Sequence, residues 1–152
     1  MRRPPRNPRQ RLFSRRIVVF SLAQGLVTFG VLAGLYGFVL RGGQGEFEAR
    51  ALTFTALIIA NLGLILANRS WSRTILTMLR VPNMALWWVA SGALLFLAVS
   101  LSVAAARGVF RFSPVHADDV AVSVVAGLVP VLLFEVFKLT RTARATSRRD
   151  RS

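Results

Sequence analysis

Four stretches of this chain carry no charged side chain, and no other feature constrains its fold as strongly. They are residues 17–40, 51–68, 81–106 and 120–134, of 24, 18, 26 and 15 residues. A helix needs about 20 mainly apolar residues to cross the hydrocarbon core of a bilayer. Lipid offers the backbone no hydrogen-bond partner, so a spanning segment must satisfy itself as a helix. The first and third runs are long enough outright, and the second can extend into its flanks. The fourth reaches the required length only by including Glu135. The expected fold class is therefore an all-α membrane protein with four transmembrane helices, at 17–40, 51–68, 84–106 and 119–137 of a membrane domain over 17–138. A basic Pro/Arg lead-in occupies 1–16 and a basic tail 139–152. A cleaved signal peptide does not fit, because the first run exceeds an h-region and three more runs follow it.

Charge supports this reading. The chain is 54% hydrophobic and only 17% charged, yet its formal net charge is +14. A basic nucleic-acid binder and a membrane protein both meet that description. The position of the charges separates them. Residues 1–16, 69–80 and 138–152 together hold 16 Lys or Arg, against 4 in residues 41–50 and 107–119. Glu46, Glu48, Asp118 and Asp119 lie in the two poorly basic segments. Cytoplasmic segments retain Lys and Arg, so both termini are expected to be cytoplasmic, with two short loops outside. The Arg residues flank spans and have no aromatic platform among them, so the expected partner is the lipid bilayer and not nucleic acid.

Few residues within the spans are chemically distinctive. The first carries Gly30 and Gly34 at G-x-x-x-G spacing, which lets a second helix approach closely in lipid. The second holds a central Asn61, whose amide needs a partner in hydrocarbon. The link 69–83 reads as short, basic and amphipathic, and Trp87-Trp88 suits the headgroup level. His116 lies near Asp118 and Asp119, but the local sequence supplies no third ligand at a metal-binding period. No metal site is expected there, and Asp118 or Asp119 is read as a helix cap. Glu135 and Lys138, one turn apart, are expected to pair at the cytoplasmic surface. No nucleophile–base pair, phosphate-cradling loop or cofactor motif occurs, and zero cysteines exclude disulfides and thiolate metal sites.

Several segments together resemble the C-terminal membrane region of P-type cation-transporting ATPases, the calcium and sodium/potassium pump class. They are Met1-Arg2-Arg3-Pro4-Pro5-Arg6 with Pro8, EARALTFTALIIANLGLILANRSW from Glu48 to Trp71, and Val81-Pro82-Asn83. FRFSPVHADD from Phe110 to Asp119 and Phe134-Glu135-x-x-Lys138-Leu139 complete the set. Their order and spacing agree over nearly the whole chain. The resemblance implies the last four of ten transmembrane helices, with cytoplasmic ends. It also implies that the phosphorylated aspartate of D-K-T-G-T, the nucleotide and actuator domains and six helices belong to a remainder outside these 152 residues.

In calcium pumps the eighth helix contributes one carboxylate to the cation site, and counting back from Arg69-Ser70 puts its equivalent at Asn61. An amide is a weaker ligand for a hard divalent ion, which tells against calcium here. Ala104-Ala105-Ala106 also departs from the proline common in the family at that point. The expected function is a non-catalytic membrane module of a truncated or split pump, scaffolding the ion-transport helices, with the missing remainder or a self-assembled bundle as partner. The alternative is a self-standing four-helix interaction protein or small transporter. An acid-free first span weighs against the small multidrug transporters.

Overall fold

The computed structural model describes residues 15–68 and 84–149, with side chains through Phe137. Residues 1–14 of the Pro/Arg lead-in, the basic link 69–83 and the Lys138 side chain lie outside the described residues. The described chain folds as α1 (Arg15–Arg41), α2 (Glu46–Asn68), α3 (Met84–Ser102), α4 (Ala104–Phe110) and α5 (Ala117–Arg149), and no strand occurs among these residues. Four segments are long and apolar enough to cross a membrane: Val18–Arg41, Glu46–Asn68, Met84–Ser102 and Ala117–Phe137, with mean hydropathy from 1.9 to 2.4. This is an all-α membrane protein with four spanning helices.

α2 begins at Glu46, before the expected span 51–68, so acids occupy the first turns of both α2 and α5. Glu46 and Glu48 occupy the first turn of α2, and Asp118 and Asp119 that of α5. Negative charge is stabilising where unpaired N–H groups leave a partial positive charge.

The centre of the bundle is the seam between α2 and α5. Leu52, Thr55, Ala56, Ala60 and Ala67 are buried along α2. Their spacing of three, four and seven residues makes one continuous helical stripe. Ser123, Pro130 and Val131 are buried opposite, on α5. Small residues dominate both faces, as expected where helices associate in lipid through close backbone approach. Two hydroxyls buried in this seam are satisfied inside their own helices: Thr55 Oγ1 donates to the Ala51 carbonyl at 2.8 Å and Ser123 Oγ to that of Asp119 at 2.9 Å, whereas the buried Thr53 and Ser100 hydroxyls have no partner among the described residues. Pro130 within α5 offers no N–H to the helix ladder, and its seat in the seam keeps that irregularity away from lipid.

α1 closes one side of this pair. Gln24, Thr28, Leu32, Leu35 and Val39 form its buried stripe, and the last three join Ala49, Leu52 and Ala56 in one apolar cluster. Phe20 of α1 meets Phe134 edge-on at 5.4 Å and stacks on Phe137 at 6.1 Å.

The third span ends earlier than the uncharged run suggests. α3 stops at Ser102, Val103 is extended (φ −81°, ψ 123°), and α4 begins at Ala104. The break turns the chain so that rings converge on Phe54 of α2: Phe96 at 6.3 Å, Phe110 at 5.9 Å and Phe112 at 5.3 Å. Aromatic pairs at such distances contribute about 0.5–1.5 kcal/mol beyond area burial. An uncharged run reports solubility in lipid and does not mark where within it the helix breaks.

Large apolar side chains cover the outside of the bundle, among them Phe29, Phe38, Trp88, Leu95 and Leu132. Such a surface suits lipid or further helices, not water.

Candidate functional site

Among the described residues, the polar side-chain contacts gather at two places, the loop end of the bundle and the polar stripe of α2.

At the loop end, two connections meet. The turn after α1 ends with Gly43 at φ 82°, and Gln44 follows it. The turn after α4 is closed by Arg111 in the left-handed region (φ 54°, ψ 52°). Its N–H reaches the Gly108 carbonyl at 3.4 Å, and the Phe112 N–H reaches that of Arg107 at 2.9 Å. These two bonds form a Schellman motif, which ends α4 and aims the next residues back towards α2. The Ser113 N–H then donates to the Phe47 carbonyl at 3.3 Å and ties the second loop to α2.

Asp119 organises the start of α5. Its Oδ2 accepts the His116 N–H at 3.4 Å, so it serves as half of a capping box there. Its Oδ1 accepts from Gln44 Nε2, also at 3.4 Å. His116 Nδ1 lies 3.8 Å from Asp119 Oδ2, and the imidazole is 85% exposed. Glu48 completes the group: one ligand atom each from Glu48, His116 and Asp119 lie within 4.8 Å of one another. Glu46, one turn back from Arg50, pairs with that arginine instead. The third ligand position that local sequence does not supply therefore comes from α2. Sequence reasoning overlooks Glu48 because nothing near His116 points to a residue so far away in the chain.

The second place is the polar stripe of α2. Gln24 and Asn68 exchange two amide hydrogen bonds between α1 and α2, at 3.3 and 2.9 Å. Gln24 is buried in that contact. Asn61 sits seven residues before Asn68, about 20° from eclipsed at 3.6 residues per turn. Its side chain is exposed, with no hydrogen-bond partner among the described residues. One amide of the stripe is answered within the chain, and the other faces outwards.

The glycines divide in the same way. A Cβ added at Gly30 or Gly34 would meet nothing within 4 Å. One added at Gly127 would fall 2.6 Å from the Ala56 carbonyl oxygen, and one at Gly63 would fall 2.5 Å from Val131 Cγ2. The tight helix contact of this chain uses Gly63 and Gly127, while Gly30 and Gly34 lie on an open face of α1. The small-residue spacing Ala56, Ala60, Gly63, Ala67 is the sequence signal for that contact. Of the pair expected between Glu135 and Lys138, Glu135 is partly buried on α5.

The sequence matches the family described as "Cation transporting ATPase, C-terminus" over residues 1–140. The chain belongs to this family. Comparison with curated proteins yields no match. The C-terminal membrane domain of this family is not itself catalytic, and the chain is a multi-pass integral membrane protein whose spanning helices are solvated by a lipid bilayer. Its sequence contains no D-K-T-G-T motif.

Proposed function

We propose that this domain scaffolds the ion-transport helices of a cation pump, acting with a remainder that holds the phosphorylation, nucleotide and actuator functions. The observation that carries this reading is the family match over residues 1–140. The exposed Asn61 amide supports it, because an amide turned outwards in the apolar span is stabilised by a polar partner on another helix. The open Gly30 and Gly34 face supports it too, since glycine permits a close approach that no described helix of this chain uses. On this reading Asn61 stands at the position where the family's eighth helix borders the cation path.

The deciding experiment is co-expression of the 152-residue chain with a P-type ATPase chain that ends after its sixth helix. The two should co-purify, and a cation-dependent, acid-stable phosphoenzyme should form on the longer chain and never on this one. Absence of any complex would overturn the scaffold role. Phosphate on the short chain would overturn its non-catalytic assignment.

Orientation is set by the 16-to-4 imbalance of basic residues. Reporter fusions after Gly43 and after Arg111 should read as outside, and fusions after Arg73 and at the C-terminus as cytoplasmic. A cytoplasmic signal at Gly43 would reverse the proposed topology.

A further inference from the structure

We propose that Glu48, His116 and Asp119 form a binding site for a divalent ion of the zinc class, which clasps the start of α2 to the start of α5. Their ligand atoms already lie within 4.8 Å of one another, contributed from the first turns of two helices and the residue that leads into the second. Around a tetrahedral Zn²⁺ with bonds of about 2.1 Å, neighbouring ligand atoms lie about 3.4 Å apart. His116 Nδ1 and Asp119 Oδ2, at 3.8 Å, are close to that spacing. The remaining adjustment is small, and the 85% exposed side chain of His116 is free of packing that would oppose it.

The surroundings favour a cation. Gln44 Nε2 donates to Asp119 Oδ1 at 3.4 Å, which orients the carboxylate from outside the ligand set. Supporting hydrogen bonds of this kind fix metal-ligating carboxylates. Arg50, the nearest basic residue along α2, is engaged by Glu46 and does not compete for Glu48. The donor set also selects the ion. One imidazole nitrogen with two carboxylates suits zinc and its first-row neighbours, whereas calcium takes six to eight oxygens. Three protein ligands leave a coordination position for water.

The site is distinct from the Asn61 stripe and independent of the pump assignment. It is tested on the full chain, purified in detergent and freed of metal, by calorimetric titration with ZnCl₂. One ion should bind per chain. His116→Ala and Glu48→Gln should each weaken binding tenfold or more, while a hundredfold excess of CaCl₂ should not displace the zinc. Saturating Zn²⁺ should raise the thermal midpoint of the unsubstituted chain more than that of His116→Ala, because an ion that binds only the folded state stabilises it in proportion to its affinity. Neither substitution removes the Asp119 cap, so both variants should fold. No binding, or equal binding by all three proteins, would overturn the site. Loss in His116→Ala with full retention in Glu48→Gln would overturn the three-residue assignment.

Discussion

Gly127→Ala should be the most damaging glycine-to-alanine change among the described residues. The new Cβ would fall 2.6 Å from the Ala56 carbonyl oxygen and 2.9 Å from Ile59 Cβ. Neither atom is the far end of a flexible side chain, so α2 and α5 must separate. Overpacking of this kind costs about 1–3 kcal/mol, and backbone contact on the broadest helix seam places Gly127 at the upper end. The separation would also loosen Ser123, Pro130 and Val131 from the α2 stripe. The check is thermal unfolding in detergent, monitored by helical circular dichroism, in which the midpoint should drop by several degrees.

Gly63→Ala meets Val131 Cγ2 at 2.5 Å and Cγ1 at 3.2 Å and should also destabilise, because a buried valine within a helix is held to one χ1 rotamer. Gly30→Ala and Gly34→Ala meet open space, so stability should stay within about 0.5 kcal/mol of the unsubstituted chain. Equal losses at Gly127 and Gly30 would contradict the seam between α2 and α5.

That contrast separates what is legible in the sequence from what is hidden in it. The four spans are read from apolar runs alone, because lipid solvation is a property of each segment by itself. The acid at the start of α5 is legible as a local cap, because a helix N-terminus favours negative charge whatever packs around it. Partners across the fold are not. G-x-x-x-G spacing selects Gly30 and Gly34, yet spacing cannot say which face another helix covers. The break at Val103 lies inside an uncharged run and accompanies rings brought together from α2, α3 and α4. The Glu48–His116–Asp119 group depends on how two loops meet, and the local pattern around His116 holds only two of its members. A residue's partners lie in tertiary structure, and one sequence reports them only where a periodic stripe happens to coincide with the seam.

Asn61→Leu should weaken assembly with the transport helices and leave the isolated chain intact. Asn61 is exposed and finds no partner among the described residues, so its removal breaks no bond within them. Leucine is also more favourable than asparagine in hydrocarbon, so insertion should not suffer. Interhelical hydrogen bonds in membranes contribute about 0.6 kcal/mol on average and up to ~1.7. That range converts to a loss of partner affinity from roughly threefold to twentyfold. It can be read by quantitative co-purification with the chain bearing the first six helices.

Asn68→Leu supplies the internal comparison. It strips Gln24 of both amide bonds, and because Gln24 is buried, the cost appears as lost stability of the isolated chain. Replacing Gln24 by leucine as well should restore much of that loss, since removing both partners leaves no polar group unmatched. Two asparagines on one stripe would then have opposite phenotypes, one in assembly and one in folding. Full partner affinity in Asn61→Leu would leave Asn61 outside the interface, and the open face of α1 would then have to carry the contact.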